Sequence, residues 1–156
     1  ERKTRYTIVM KIQNRKSKTV TKEFANSLNS LSKIFRKSMT YDNGMEMANH
    51  KWLANQTGIN IYFAHPYSSW ERGTNENTNG LIRRFFPKGT DFNKISLKQL
   101  KDAQNNLNDR PRKVLGFKTP NEKMNDEIIN YADDVGGLIS GITFAKSYSE
   151  NKAIFN

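Results

Sequence analysis

An α/β domain, with helices packed on a mixed sheet, is the fold class that this sequence predicts. Three observations carry the prediction. Short apolar or period-two runs alternate with runs of helical spacing, in the order strand, helix, strand, helix, strand, then helices. Residues that cap or break elements fall at the joints between these runs. At 156 residues the chain is long enough to bury one ordinary core.

The elements follow in order. Tyr6, Ile8, Met10 and Ile12 alternate with Thr7, Val9 and Lys11, which predicts a strand from Arg5 to Gln13. Val20, Phe24, Leu28 and Leu31 make a helical stripe over residues 17–31, with Ser17 or Thr19 as its cap. Arg36 to Tyr41 reads as a short strand that stops at Asp42, where Asn43-Gly44 favours a turn with positive φ. Met47 to Thr57 reads as a helix, with Met47, Trp52 and Ala54 as apolar positions and Gly58 as its C′ residue. Ile59 to Phe63 is a buried-strand candidate, and Ala64 to Gly73 a loop. Asn75 to Phe86 reads as a helix closed by Pro87 and Gly89. Ser96 caps a further helix to Asn108, with Leu97, Leu100, Ala103 and Leu107 as its stripe, and Thr119-Pro120-Asn121 starts a last one to about Asn130. After Tyr131 the chain turns glycine- and serine-rich without a period. That predicts a loosely attached tail, in which GLISGITF is a candidate edge strand.

Composition narrows the function classes. The 26 Lys and Arg against 15 Asp and Glu give a net charge of +11, and the pI is near 9.9. Such a field draws polyanions, nucleic acid foremost. No apolar run reaches the roughly 18 residues that a membrane helix needs, and the mean hydropathy is −0.82. Without cysteine there is no disulfide framework and no thiolate metal site, which suits a reducing cytosol.

Two carboxylates sit where chemistry collects. Asp42 closes a strand, at the edge where α/β sites form; its ordinary role would be that of a turn residue. Glu76 lies in the first turn of the Asn75–Phe86 helix, where a carboxylate also complements the helix dipole. That helix places Thr78, Leu81, Ile82 and Phe85 on one face and Glu76, Asn79, Gly80 and Arg83 on the other. Two such carboxylates suit a hard divalent cation such as Mg²⁺. Two ions about 4 Å apart serve phosphoryl transfer, a chemistry that generally uses three or more carboxylates. Arg72, Arg83, Arg84 and Lys88 gather around Glu76 in sequence, a density that favours phosphate contacts, and Arg110, Arg112 and Lys113 extend the track. His65 opens the loop before Glu76, in reach of either DNA or a substrate water, whereas His50 reads as a surface helix residue. Tyr67 and Trp70 either pack the loop on the core, the ordinary reading, or stack on a base. Glu46 either supports Asp42 or caps the next helix.

The stretch from Met39 to Phe92, above all HPYSSWERGTNENTNGLIRRFFPKG, together with LNDRPRKVLGFKTPNEKM, resembles the catalytic core of the IS-thirty family of bacterial insertion-sequence transposases. These are DDE enzymes related to retroviral integrases. The resemblance covers roughly Glu1 to Met124. It implies an RNase-H-like fold and Mg²⁺- or Mn²⁺-dependent cleavage and joining of DNA, with Asp42 and Glu76 as second and third acidic residues of the triad. The 33 residues between them match the family's spacing. It further implies DNA contacts at His65, Arg72, Asn79, Arg83, Arg84 and Lys88, transposon ends and target DNA as partners, a homo-oligomer when complete, and a bacterial cytoplasmic location without a membrane. The family's first catalytic Asp lies upstream of the segment resembling ERKTRYTIVMKI. The expectation is therefore a core over residues 1–130 lacking its first strand and first Asp, followed by a tail over 131–156. Such a fragment would be inactive alone, and the alternative function is that of a non-catalytic nucleic-acid-binding remnant.

Overall fold

The structure, a computed structural model, describes residues 1–135. Five α-helices and one two-stranded sheet lie among them. The chain divides into two compact units, residues 8–103 and residues 1–7 with 104 onward.

In the 8–103 unit, α1 (Ser17–Asn29) buries Val20, Thr21 and Ala25. Its N-cap is Lys16, and no side chain caps it. The Ser17 hydroxyl accepts from the Asn49 backbone N–H instead (2.8 Å), and the Asn49 amide donates to Thr21 Oγ1 (3.3 Å). The expected capping hydroxyl thus fastens α1 to the entry of the next helix. β1 (Ser38–Tyr41) is followed by a 3-10 turn, Met45–Met47, then α2 (His50–Thr57) and β2 (Asn60–Phe63). β1 and β2 pair in parallel, Ser38 opposite Asn60 through Tyr41 opposite Phe63. A parallel pair requires a crossover, and α2 supplies it. Gly58 ends α2 at φ 68°, with its N–H on the Ala54 carbonyl (2.8 Å), as its C′ position required.

Val20, Ala25, Met47 and Leu53 form the first core cluster, with Phe24, Met39, Tyr41, Ile61 and Phe63 packed against it. Leu53 is fully buried while Trp52 is 39% exposed. The apolar stripe of α2 is therefore shifted by one residue from the expected phase, because the preceding 3-10 turn resets the helical count after Met47. β2 is not buried on both faces, since Tyr62 stands exposed.

α3 (Gly73–Ile82) starts earlier and stops sooner than expected. Beyond Ile82 the backbone tightens: the Arg84 and Phe85 N–H groups bond the carbonyls of Leu81 and Ile82. The helical phase is lost there, so Phe86 is buried and Phe85 exposed. Phe86 joins Leu100 and Ala103 in a second core cluster, supported by Val9, Ile82 and Ile95. α4 (Leu97–Asn108) opens on a capping box. The Ser96 N–H donates to Gln99 Oε1 (2.9 Å) and the Gln99 N–H to Ser96 Oγ (3.2 Å). Three residues of the expected stripe, Leu100, Ala103 and Leu107, are buried, and Leu97 is exposed.

The strand expected over residues 5–13 is absent among the described residues. Arg5 has φ 62°, outside the extended region. Further on, both parities of the alternation are used: Val9 packs on the second cluster and Ile12 on the first. Lys11 Nζ donates to the Ile95 carbonyl (3.0 Å). The segment is held by side chains rather than by a ladder. Nor does Asn43-Gly44 adopt positive φ; Gly44 has φ −69°. The Glu46 carboxylate lies over Gly44, where a Cβ would be 2.5 Å from Oε2 and would displace only the end of that flexible side chain.

In the other unit, Asn108, 2% exposed, receives the Thr7 N–H on Oδ1 (2.9 Å) and donates Nδ2 to the Thr7 carbonyl (2.8 Å). A side-chain amide thereby does what a neighbouring strand would do. Arg112 Nη2 donates to the Leu107 carbonyl at the end of α4 (2.8 Å), so this cation has a structural use. α5 (Pro120–Val135) runs past the expected end at Asn130. It too opens on a capping box: the Thr119 N–H donates to Glu122 Oε2 (2.7 Å), and the Glu122 N–H to Thr119 Oγ1 (3.1 Å). The candidate edge strand GLISGITF lies outside the described residues.

Asn108→Ala strands both backbone groups of Thr7, and a loss of about 1–3 kcal/mol is expected, read as a lower midpoint in chemical denaturation. The second expectation concerns pH. The Thr119 backbone N–H holds the Glu122 carboxylate below its usual range, and the Lys118 ammonium does the same for Asp126. Folded pKa values below the unfolded ones give stability that is present above the ordinary carboxylate value of about 4 and lost as pH falls through the folded values. Thermal midpoints should therefore drop below about pH 4, and Glu122→Gln should flatten that drop.

Candidate functional site

The parallel pair puts two chain segments at one end. Asp42 follows the last residue of β1 and is half-buried. The Tyr41 carbonyl beside it accepts the Ala64 N–H just beyond β2 (2.7 Å). Asp42 and the loop from Ala64 to Arg72 therefore leave the sheet together at its C-terminal end. Glu46 shares the turn that Asp42 opens, its carboxylate folded over Gly44.

The loop is held by a residue that the sequence reading passed over. Glu71 takes the His65 backbone N–H on Oε2 (2.9 Å) and meets the His65 ring Nδ1 with Oε1 (3.0 Å). The Ser68 N–H bonds the His65 carbonyl (3.2 Å) and the Glu71 N–H the Ser68 carbonyl (3.1 Å). One carboxylate thus closes the loop on itself and fixes its histidine. The available signal was an acid six residues from the one loop histidine, with Pro66 between them to turn the chain.

This closure turns the aromatics outward. Tyr67, at φ 62°, is 101% exposed, and Trp70 is 77% exposed. The expectation that they pack the loop on the core is wrong; the loop is secured by polar bonds and needs no apolar anchor. His65 is likewise exposed. His50, expected to be a surface helix residue, opens α2 and is half-buried, its Nδ1 3.0 Å from the Met47 carbonyl and its ring edge-on to Phe63.

Glu76 sits in the first turn of α3 and is exposed. The loop from Ala64 to Arg72 joins the end of the sheet, beside Asp42, to the helix that carries Glu76. Asn79, Arg83, Arg84 and Lys88 are exposed, and the Arg72 side chain lies outside the described residues. Three of these positions come together: Asn79, Arg83 and Lys88 line one pocket of about 280 Å³ with Ile82, Phe86 and Phe92. Arg84 and His65 are not part of it. Among the described residues no three His, Cys, Asp or Glu side chains are grouped to hold a metal. No helix among them is long and apolar enough to cross a membrane.

Known proteins give the context. No family model matches the chain. It is 46% identical over 122 residues to transposase InsI for insertion sequence element IS30C of Escherichia coli K12, covering 78% of this chain and 32% of that protein. With the transposase for element IS4351 of Bacteroides fragilis the identity is 56% over 93 residues, 60% of this chain and 28% of the relative. With the transposase for IS1086 of Cupriavidus metallidurans it is 39% over 133 residues, 85% and 39%. The chain spans about a third of the length of the curated relatives it matches. The length and identity of these matches mean that the chain belongs among the IS30-type transposases.

Proposed function

We propose that the chain is part of the catalytic core of an enzyme of DNA transposition, an RNase-H-like arrangement in which Asp42 and Glu76 are metal-holding carboxylates. One observation carries this reading. Asp42 ends a strand whose parallel neighbour feeds, from the same end, the loop that leads to Glu76. The relatives are named as transposases for insertion sequence elements, and that name supports insertion-element DNA as the substrate class; our reading is that the whole protein, as a homo-oligomer in the bacterial cytoplasm, cleaves transposon ends and joins them to target DNA.

The donor chemistry suits a hard cation. Asp42 and Glu76 offer oxygen ligands, and Mg²⁺ is commonly held by one or two carboxylates with waters and substrate phosphates. When bound, such an ion stabilises charge developing on phosphoryl oxygens. The chain's own residues do the rest. Arg83, Arg84 and Lys88, exposed on a chain of net charge +11, bind the phosphate backbone without regard to sequence. Glu71 fixes His65, which is exposed on the loop, in one orientation.

A second reading rests on the same exposed cations, Arg83, Arg84 and Lys88: a polypeptide that binds DNA but does not cut it alone, which Mg²⁺-dependent nicking of terminal-repeat DNA by the chain would remove.

Calorimetric titration of the chain with Mg²⁺ or Mn²⁺ should show binding that Asp42→Asn weakens about tenfold or more; equal affinity in both proteins would refute the metal assignment. Glu71→Ala should raise amide exchange at His65 about tenfold, the loss of one charge-assisted hydrogen bond, while the unfolding midpoint stays within experimental error.

A further inference from the structure

The pocket at the end of α3 has a composition that its general role in phosphate binding does not require. Its wall carries two cations, Arg83 and Lys88, and an amide, Asn79. Its apolar side is Ile82, Phe86 and Phe92. No carboxylate is part of its lining, and neither cation has an ion-pair partner among the described residues. Phe86 is buried, whereas Phe92 is half exposed, their ring centroids 5.8 Å apart and tilted by 56°. Phe86 therefore anchors Phe92 and leaves part of that ring in solvent.

The turn beside it keeps the mouth open. The Thr90 N–H and hydroxyl both bond the Pro87 carbonyl (3.1 and 2.6 Å). Gly89, at φ 91°, presents no side chain, and a Cβ placed there meets nothing within 4 Å. Lys88 is thus carried on a turn closed by two hydrogen bonds from Thr90 to the Pro87 carbonyl.

We propose that this pocket seats one unstacked nucleotide of single-stranded DNA, its base on Phe92 and its phosphate between Arg83 and Lys88. The proposal rests on the DNA-binding reading above and narrows it. Phosphate contacts alone would serve duplex and single strand alike. An exposed aromatic ring sharing a pocket with two cations offers a stacking surface to a base whose face is free, and a duplex hides its base faces in the stack. The amide of Asn79 can both donate to and accept from a base edge. The pocket, about 280 Å³ and open to solvent, has room for a base.

The test uses the full chain and a fluorescently labelled oligothymidylate of twelve nucleotides, against a mixed-sequence duplex of the same length, by anisotropy at low salt. Phe92→Leu keeps apolar bulk without a π-face, and Phe92→Trp restores one. Phe92→Leu should weaken single-strand binding about tenfold and leave duplex binding within twofold; Phe92→Trp should match the parent. Arg83→Ala should weaken both. If Phe92→Leu binds the single strand as the parent does while Arg83→Ala weakens both substrates, the nucleotide seat is overturned and DNA binding stands. If neither DNA binds the parent chain, the DNA-binding reading fails and the seat with it. Thermal melts of each variant confirm that the comparison is between folded proteins.

Discussion

The parallel pairing of β1 with β2 is the constraint on which the site depends. Antiparallel strands can be joined by two residues; parallel strands need a crossover, and both then finish at the same end. Here the crossover contains the Met45–Met47 turn and α2, and the αL conformation of Gly58 returns the chain to the sheet in register. The Ala64 N–H to Tyr41 carbonyl bond extends the ladder by one step past the strands. It ties the backbone leaving toward Asp42 to the backbone leaving toward His65. A slip of this register would separate the two, and it would also move Met39 and Ile61 off the core cluster they support. Packing and site geometry therefore enforce the same pairing.

Past the sheet, the organising force changes from apolar burial to charge-assisted hydrogen bonding. α3 has no fully buried residue, and the loop before it displays Tyr67 and Trp70 to solvent. Two exposed aromatics are normally a liability. Glu71 makes them tolerable by fixing the loop through the His65 backbone and ring, so that neither aromatic has to find a place in the core. A loop secured in this way has surface to spare for a partner.

What the sequence disclosed is what local chemistry decides. Gly58 as a helix stop, Ser96 as a cap, and a strand ending at Asp42 each follow from a few adjacent residues. The same logic predicted a helix start at Thr119-Pro120-Asn121. The failures are non-local. Residues 5–13 alternate like a strand, yet Asn108, about a hundred positions away, takes the hydrogen bonds of Thr7, and the apolar side chains divide between two clusters. Trp52 and Phe85 lost their expected core places to Leu53 and Phe86 because 3-10 turns altered the helical phase, which a period of 3.6 cannot anticipate. Of the candidate site, the local placements were legible: Asp42 directly follows β1 and Glu76 lies in the first turn of α3. The role of Glu71 and the gathering of Asn79, Arg83 and Lys88 depended on how the loop and the turn after α3 fold back.

Glu76, Asn79 and Arg83 are spaced by three and four residues, so one face of α3 runs from the candidate metal carboxylate to the pocket. At about 1.5 Å per residue the separation along the axis is roughly 10 Å, on the order of two nucleotide steps. A single strand seated at Phe92 and running along this face toward the start of α3 would bring a phosphodiester near Glu76. With only two carboxylates in play, phosphate oxygens of that strand would complete the donor set of a hard cation. Metal and DNA would then bind cooperatively, each raising the affinity for the other by the same factor. On that argument the weakness of a two-carboxylate site in the free chain is not evidence against its use, because the substrate itself supplies the missing oxygens.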